Sequence, residues 1–475
     1  MDALFEIPGH EVPVLGSGNG RGFTPLEIEM RLAEMLQMLG EHDPQVPIGL
    51  VGDNSPEWVL ADLAMLRSGH CSVPIPAFFS SEQITHLVAA TGMTQVFYNG
   101  GIVPVRRVFP YLPEVAAAQA PVALPLGTQK ITFTSGTTGN PKGVCLTAGQ
   151  QMATVKSLAE VLGKLGVKKH LSLLPLAVLL ENVAGIYVPL MLGAECIVPP
   201  LGEIGLSGSS QFDAERCLNA IAKHQAESLI LLPQMLQALV WQASPADPRL
   251  ASLKFVAVGG GVTPIAVLER AAQVGMPVFE GYGLSECASV VSLNTPAANR
   301  LGSVGKTLPG VKARLAADGE IEIQGRGYAG LLGEPPLPAQ AWLSTGDLGE
   351  IDSDGFLRIT GRKKNVLITS FGRNVSPEWP EGLLMESGLL AQVVVIGDGE
   401  AQLRAVLVPR SAAVDQAALE RLLGAVNARL PDYAQIGQWV ICSEGFTKAN
   451  GLATDNGRPR REAIASRFIQ KTQES

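Results

Sequence analysis

The sequence predicts an α/β protein with a large N-terminal domain of two stacked, mostly parallel β-α sheets plus an antiparallel β unit, and a small α+β C-terminal domain, whose mobility is implied only by the resemblance described below. Three observations lead to this prediction. Strand-like and helix-like segments alternate from about residue 46 to residue 280. Short strands separated by turn signals follow, and a mixed pattern begins near residue 364. We therefore expect domains at 1–363 and 364–475, with the β unit at about 300–363.

Composition excludes several classes of protein. The chain has 475 residues, more than one ordinary domain, and 46% of them are hydrophobic. A formal net charge of −8 argues against a nucleic-acid surface. The six cysteines are scattered, which predicts neither a disulfide framework nor a zinc site. We find neither a signal-peptide pattern nor a transmembrane segment, so we expect a cytoplasmic protein, with a homodimer among its oligomeric options.

Cap residues mark the helices of the first half. Thr24 before Pro25 predicts a helix through residue 39, and Ser55 before Pro56 predicts a second helix that ends at Gly69. A third helix is expected at 81–90. Strands are expected at 47–51, 71–75, 95–98 and 130–133. This β-α-β-α-β order predicts a largely parallel sheet covered by helices.

The alternation continues after residue 147 and gives the second sheet. We predict helices at 148–165, 181–193, 213–225, 233–242 and 263–273. We predict strands at 171–174, 195–198, 228–232, 255–258 and 277–279. In the β unit, Asp-Gly turn signals separate strands expected at 311–315, 321–324 and 356–359. The small domain is expected to hold strands 392–396, 403–408 and 438–442 and an amphipathic helix 411–430.

A loop of small residues at 134–143 is the strongest candidate site. It follows a predicted strand, and its backbone N–H groups and hydroxyls can face one anion while a lysine adds positive charge. The lysine follows proline, so the segment is not a Walker loop. A flexible surface loop is the alternative. We predict that a triphosphate is bound by Thr134, Ser135, Gly136, Thr137, Thr138, Gly139 and Lys142.

A second group of candidates follows the strands at 255–258 and 277–279. Three successive glycines leave only backbone, so a flat ligand could approach closely. The segment 280–286 then places a tyrosine that can stack on adenine, a serine that can bind phosphate, and a glutamate that can ligate Mg²⁺. The candidates here are Gly259, Gly260, Gly261, Gly281, Tyr282, Gly283, Ser285 and Glu286.

Two further segments carry polar candidates. Asp347 follows a Thr-Gly turn and can accept both hydroxyls of a ribose. Arg362 lies in a basic segment and can pair with ribose or phosphate oxygens. An Asx turn and a solvated basic loop are the respective alternatives.

These segments, in this order, resemble the motifs of the adenylate-forming (AMP-binding) superfamily, and segments 174–182 and 446–454 are most similar to bacterial long-chain fatty acyl-CoA synthetases. The resemblance implies ATP, Mg²⁺ and CoA as cofactors, and a small carboxylic acid as substrate. It implies Thr137 and Glu286 as metal ligands and Lys364 as the hinge of the small domain. It also implies a CoA site at Gly372 and Arg373. The acyl pocket would be lined by Val178, Glu181, Gly259 and Gly283.

Two of the departures from the family bear on the substrate pocket and on catalysis. Val178 replaces a histidine, which indicates either a drier acyl pocket or a silent core change. Arg458 replaces the lysine that, in the family, bridges the substrate carboxylate and the α-phosphate. Arginine keeps the charge but is planar and bulkier. Three interpretations stay open: Arg458 performs this role, Arg460 performs it, or adenylation is impaired.

The function expected from this resemblance is ATP-dependent activation of a medium- or long-chain fatty acid to an acyl-adenylate, followed by transfer to the thiol of CoA. The catalytic residues would be Lys142, Glu286 and Arg458. One alternative is transfer to the phosphopantetheine of an acyl carrier protein. Another is a nucleotide-binding protein whose adenylation is impaired by Arg458.

Overall fold

The computed structural model describes residues 13–20, 22–112, 123–134, 141–207, 211–334, 341–454 and 457–469. Two large sheets and a four-stranded antiparallel sheet form the N-terminal part, and a three-stranded sheet with helices forms the C-terminal part. The predicted α/β class, with a large domain followed by a smaller one, is confirmed.

The first large sheet has parallel strands at its centre and antiparallel strands at both edges. In sheet order its seven strands are Gly330–Leu331, Lys142–Thr147, Thr128–Thr134, Ser72–Ile75, Ile48–Val51, Gln95–Tyr98 and Gly101–Pro104. The helices of this region are Pro25–Leu39, Pro56–Ser68, Ser81–Thr91 and Val105–Val108. As predicted, Thr24 and Ser55 cap the first two helices, each accepting a bond from the backbone N–H three residues on.

The second large sheet also has a parallel centre. In sheet order its nine strands are Lys306–Thr307, Ser292–Leu293, Val278–Tyr282, Phe255–Val258, Ser228–Leu231, Lys169–Leu171, Glu195–Ile197, Leu15–Gly16 and Gly22–Phe23. The α-helices of this region are Ala148–Leu162, Ala214–His224, Pro233–Gln242 and Ile265–Gln273. Because neighbouring strands run parallel, the candidate segments after 258 and after 279 emerge at one edge of this sheet.

Two predicted elements of this sheet differ from the structure. The strand expected at 171–174 lies at Lys169–Leu171, and the chain has left the sheet before Pro175. The helix expected at 181–193 is a π-helix, Glu181–Tyr187, followed by a short α-helix, Val188–Met191. In that wide turn Gly185 packs directly against the side chain of Glu181, where a larger residue would collide. The periodicity of apolar residues does not distinguish these two helix types.

The β unit is antiparallel, as predicted. Its strands are Lys312–Leu315, Glu320–Gln324, Leu343–Ile351 and Leu357–Arg362. The strand Leu343–Ile351 was not predicted, because its Ser-Thr-Gly-Asp centre has no apolar alternation. Its register places Asp347 opposite Arg362, which brings two candidate site residues together.

The C-terminal part has its own core. Its sheet contains Leu390–Ile396, Leu403–Pro409 and Ile436–Ile441, and its helices are Glu378–Met385, Gln416–Asn427 and Arg461–Ile469. The helix expected at 411–430 is shorter at both ends, and Asp415 caps its start by accepting a hydrogen bond from the N–H of Ala418. Among the described residues, no helix combines the length and apolarity needed to cross a bilayer.

A buried polar cluster joins the two large sheets. Lys130 of the first sheet lies 2.9 Å from Asp62 and 3.0 Å from the hydroxyl of Tyr187, whose helix packs with the second sheet. Asn182 donates to the same Asp62 carboxylate at 2.7 Å. Burial lowers the pKa of Lys130, and the Asp62 carboxylate opposes that effect. The Asp62 carboxylate therefore offsets part of the cost of burying the Lys130 ammonium group away from water.

We expect Lys130→Met to destabilise the large domain by about 3 kcal/mol, because the Asp62 carboxylate would stay buried without its cation. The urea midpoint measures this. Lys169→Met is the matched control, since Lys169 is 43% exposed and lies 3.6 Å from Glu195. The control should change stability by less than about 1 kcal/mol. Equal midpoints for Lys130→Met and the wild type would contradict the assigned role.

Candidate active site

One cavity of about 950 Å³ gathers most of the predicted site residues. It extends along the carboxyl edge of the second large sheet, where the strands Phe255–Val258 and Val278–Tyr282 end. Lys142 and Glu286, which are far apart in sequence, both line it. The predicted residues found in its lining are Thr134, Lys142, Val178, Gly259, Gly260, Gly281, Tyr282, Gly283, Ser285, Glu286, Arg362, Lys364 and Arg458.

Other candidates lie elsewhere. Glu181 and Asp347 are buried behind residues that line the cavity. Gly261 follows the lining residue Gly260 but is not itself part of the described wall. Gly372 and Arg373 lie on an exposed turn of the C-terminal part, away from the described wall of the cavity. The loop residues Ser135, Gly136, Thr137, Thr138 and Gly139 lie outside the described residues.

Two glycines of the cavity wall are required by geometry. Gly260 has a φ of +83°, a conformation that favours glycine. At Gly283 an added Cβ would collide with the backbone carbonyl of Ser289. Glycine is therefore required at both positions by the chain's own conformation and packing.

An anchored carboxylate marks one end of the site. Asp347 is 3% exposed and accepts a hydrogen bond of 2.7 Å from the hydroxyl of Tyr282. Its other oxygen lies 2.7 Å from Nε of Arg362. Burial and the neighbouring carboxylate raise the pKa of Tyr282 well above its ordinary value, so the phenol stays a hydrogen-bond donor. The tyrosine ring and the guanidinium are thereby fixed in the wall of the cavity.

Three cations meet beside this carboxylate. Arg458 donates a hydrogen bond of 2.9 Å to the carbonyl of Gly260, so the C-terminal part reaches the edge of the second sheet. Desolvation, followed by repulsion from Arg362, lowers the pKa of Arg458. Desolvation, Arg362 and Arg458 lower the pKa of Lys364, while Asp347 opposes them. Positive charge is thus concentrated where an anionic ligand would neutralise it. Arg460 is exposed and lies outside the described lining.

Glu286 is suited to a metal ion. It lies in the short turn Ser285–Cys287, lines the cavity, and forms no hydrogen bond or ion pair with another described residue. A free carboxylate is a ligand that Mg²⁺ prefers. No group of three His, Cys, Asp or Glu side chains able to hold a metal is found in the described part of the chain. A Mg²⁺ ion at Glu286 would therefore take further oxygens from a bound phosphate and from water.

An apolar branch leads away from this polar region. Phe255 and Ala257 lie on one face of their strand and continue the line of Gly259. Strand residues advance about 3.3 Å each, so this wall is roughly 13 Å long. Segments 158–162 and 178–188 form a second apolar side of the cavity. Its lining includes Leu158, Leu162, Val178, Leu180, Ala184 and Val188.

Sequence reasoning missed two polar residues of this branch. His170 and Ser228 both line the cavity and pair with each other across neighbouring parallel strands. Ser228 is the first residue of its short strand and His170 is the second residue of its strand. Neither position by itself indicates a function. Only the register between the two strands brings them together.

Glu280, next to the site, should make stability depend on pH. Burial raises its pKa from 4.5 to about 8, against the opposing effect of the backbone hydrogen bond from Gly302. Between these values the folded chain holds a proton that the unfolded chain has released, so stability falls as pH rises through this window. We expect Glu280→Gln to remove that component, which urea midpoints of both proteins at about pH 5 and about pH 9 would measure.

Glu420→Gln, which changes an exposed side chain, is the control for the Glu280 comparison. The control should follow the wild type over the whole pH range. Parallel pH profiles for Glu280→Gln and the wild type would contradict the prediction.

This architecture, with its cavity at the carboxyl edge of the second sheet, is that of the adenylate-forming enzymes. Residues 29–333 match the AMP-binding enzyme family, and residues 364–474 match the AMP-binding enzyme C-terminal domain. The chain belongs to the AMP-binding enzyme family.

Curated and solved relatives agree with this assignment. The chain is 28% identical over 417 residues to a protein of Mycobacterium tuberculosis named as a fatty-acid–CoA ligase, fadD11, with 72% of each chain covered. The structure is similar to that of the anthranilate CoA ligase AuaEII in complex with anthranoyl-AMP, with a TM-score of 0.82, 18% identity, and 99% and 97% of the two chains covered. It is also similar to O-succinylbenzoate coenzyme A synthetase from Bacillus subtilis in complex with ATP and magnesium, with a TM-score of 0.76, 21% identity, and 97% and 98% covered. At these identities the two solved structures show the fold.

Proposed function

We propose that this protein is an AMP-forming acyl-CoA synthetase that activates a medium- or long-chain fatty acid. The observation that carries the proposal is a single cavity in which an apolar branch meets a polar region. The branch ends at Gly259 and Gly283, and the polar region contains Lys142, Glu286 and Arg458. A carboxylate at the end of an acyl chain would lie at this junction. Its hydrocarbon would occupy the branch.

The first half-reaction makes the acyl-adenylate. A carboxylate oxygen attacks the α-phosphorus of ATP, a P–O bond forms, and the bond to pyrophosphate breaks. We assign Lys142, the loop 134–139 and Arg458 to stabilising the negative charge that develops on the phosphates. Glu286, with Thr137 as the second proposed ligand, would hold Mg²⁺, which neutralises phosphate charge when it is bound. Asp347 and Arg362 would position the ribose, and Tyr282 the adenine.

The second half-reaction transfers the acyl group to a thiol. The sulfur attacks the activated carbonyl, a thioester forms, and AMP leaves. Gly372 and Arg373, the proposed CoA-binding residues, are exposed and do not face the described cavity. We propose that the small domain turns about Lys364 between the half-reactions, so that Arg458 leaves the cavity and the turn at Gly372 enters it.

The test of the proposed substrate is carboxylate-dependent exchange of labelled pyrophosphate into ATP. We expect saturated acids of medium or long chain to support exchange and short acids to fail. Only medium and long chains fill the apolar branch and so remove enough apolar surface from water. Benzoate and anthranilate are included because one similar solved structure is that of an anthranilate CoA ligase. Exchange with aryl acids alone would refute the fatty-acid assignment. No exchange with any acid would favour the nucleotide-binding protein with impaired adenylation.

The acceptor thiol needs a separate experiment. Thioester formation from a preformed acyl-adenylate is compared with free CoA and with a holo acyl carrier protein as acceptor. We expect CoA to be the better acceptor. Faster transfer to the carrier protein would replace CoA by carrier phosphopantetheine in the proposal.

A further inference from the structure

The far end of the apolar branch is polar. Ser228 and Phe255 are register partners at the start of neighbouring parallel strands, and both line the cavity. His170 pairs with Ser228 on the next strand and lines the cavity as well. The same wall reaches Gly259 at its other end. Two polar side chains therefore lie roughly 13 Å from the reacting end of the branch, measured along the strand.

These side chains form a buried chain of contacts. Oγ of Ser228 lies 2.9 Å from Nδ1 of His170, and Nε2 of His170 lies 3.1 Å from Oε1 of Glu181. Their exposed fractions are 5% for Ser228, 2% for His170 and 0% for Glu181. Glu181 belongs to the π-helix and lies behind His170, where Gly185 leaves room for both side chains.

The cluster does not satisfy its own polar atoms. Oε2 of Glu181 is buried and has no hydrogen-bond partner among the described residues. The Ser228 hydroxyl can take part in three hydrogen bonds, and its contact with His170 uses one. Buried polar groups without partners cost free energy, so a cluster of this kind is unusual at the end of a hydrocarbon cavity. An acyl chain ending in a methyl group would pack against it and offer no partner.

We propose that Ser228, His170 and Glu181 form a distal polar pocket that binds a hydroxyl group at or near the far end of the acyl chain. This inference rests on the proposed function, and it identifies the acid as a hydroxylated fatty acid. The Ser228 hydroxyl forms a hydrogen bond with the substrate hydroxyl, and His170 orients the Ser228 side chain. Glu181 is a positioning residue that acts through His170. The wall length restricts the effect to chains whose hydroxyl group reaches the pocket.

The test measures binding directly, so that it does not depend on catalysis. Isothermal titration compares saturated acids from decanoate to hexadecanoate with their ω-hydroxy derivatives, using the full-length protein. The quantity of interest is the Kd of each plain acid divided by the Kd of its hydroxylated partner. We expect this ratio to peak at one chain length in the wild type. In Ser228→Ala the peak ratio should fall about fivefold to tenfold, the effect of one lost hydrogen bond.

Two further variants separate recognition from general damage. Ser172→Ala is the matched control, because Ser172 is a buried serine without a hydrogen-bond partner among the described residues and lies outside the described lining. Its ratio should equal that of the wild type. Glu181→Gln should lower the ratio without changing the lining, because an amide replaces the carboxyl group that contacts Nε2 of His170. If Ser228→Ala fails to fold, the ratio of Glu181→Gln decides the question.

The outcomes distinguish this inference from the proposed function. If plain acids bind and support exchange but the ratio is the same in wild type, Ser228→Ala and Glu181→Gln, the distal polar pocket is a structural cluster and the inference is overturned. If neither series of acids binds and only aryl acids support exchange, the fatty-acid assignment and the inference fall together. A peak in the ratio that Ser228→Ala abolishes supports the inference.

Discussion

Replacing Glu286 with glutamine is expected to lower Mg²⁺-dependent adenylation on the order of a thousandfold, the scale of losing one preorganised charge in a dry site. Glu286 lines the cavity and forms no hydrogen bond or ion pair within the described residues, so its carboxylate is available to a metal ion. Glutamine keeps the size and one oxygen but removes the charge. Pyrophosphate exchange measured over a range of Mg²⁺ concentrations should show both a lower maximum and a higher Mg²⁺ requirement.

Glu269→Gln is the matched control for the Glu286 variant. Glu269 is exposed on the helix Ile265–Gln273 of the same domain and lies outside the described lining. It should leave exchange unchanged. A Glu286→Gln protein that exchanges at the wild-type rate with the same Mg²⁺ dependence would remove Glu286 from the metal site.

Local chemistry explains which elements of the fold the sequence predicts well. Thr24 with Pro25, and Ser55 with Pro56, start their helices as predicted, because a side-chain oxygen and a fixed φ act within one turn. Gly69 ends the second helix with a φ of +83°. Glycine adopts this left-handed conformation readily, so the end of the helix depends on a single local residue. The parallel order of the strands follows from the same alternation of short apolar runs and helices.

The unpredicted features depend on contacts between distant segments. In the wide turn of the π-helix, Glu181 and Gly185 pack against His170, which belongs to the strand Lys169–Leu171. The strand that carries Asp347 has no apolar alternation of its own and forms because its neighbours on both sides supply hydrogen bonds. Propensity within one segment contains no information about either contact.

The topology of the sheet explains why some of the candidate site residues lie close together. Parallel strands bring their carboxyl ends to one edge, so Gly259 and Glu286, which follow two such strands, must lie close together. The position of Arg458 cannot be deduced from the order of the strands, because it depends on how the small domain packs against the large one. That residue was identified only by resemblance. The roles assigned to all of the site residues stay predictions, and Ser135, Gly136, Thr137, Thr138 and Gly139 lie outside the described residues.

Replacing Arg458 with alanine is expected to lower adenylation by about 10²- to 10³-fold while leaving thioester formation from a preformed acyl-adenylate almost unchanged. Arg458 donates to the carbonyl of Gly260, so its guanidinium lies at the junction of the apolar branch and the polar region. In the first half-reaction a cation there opposes the repulsion between the carboxylate and the phosphates. In the second half-reaction the proposed rotation removes it. Single-turnover measurements of each half-reaction separate the two effects.

Two variants decide between the three interpretations of this position. Arg458→Lys should restore most of the adenylation rate if only a cation is required, because lysine supplies a point charge without the planar fork. Arg460→Ala should have little effect, since Arg460 lies outside the described lining of the cavity and Arg458 lies within it. A large loss in Arg460→Ala with none in Arg458→Ala would transfer the role to Arg460. Equal losses in both half-reactions of Arg458→Ala would indicate that Arg458 holds the domains together and takes no specific part in adenylation.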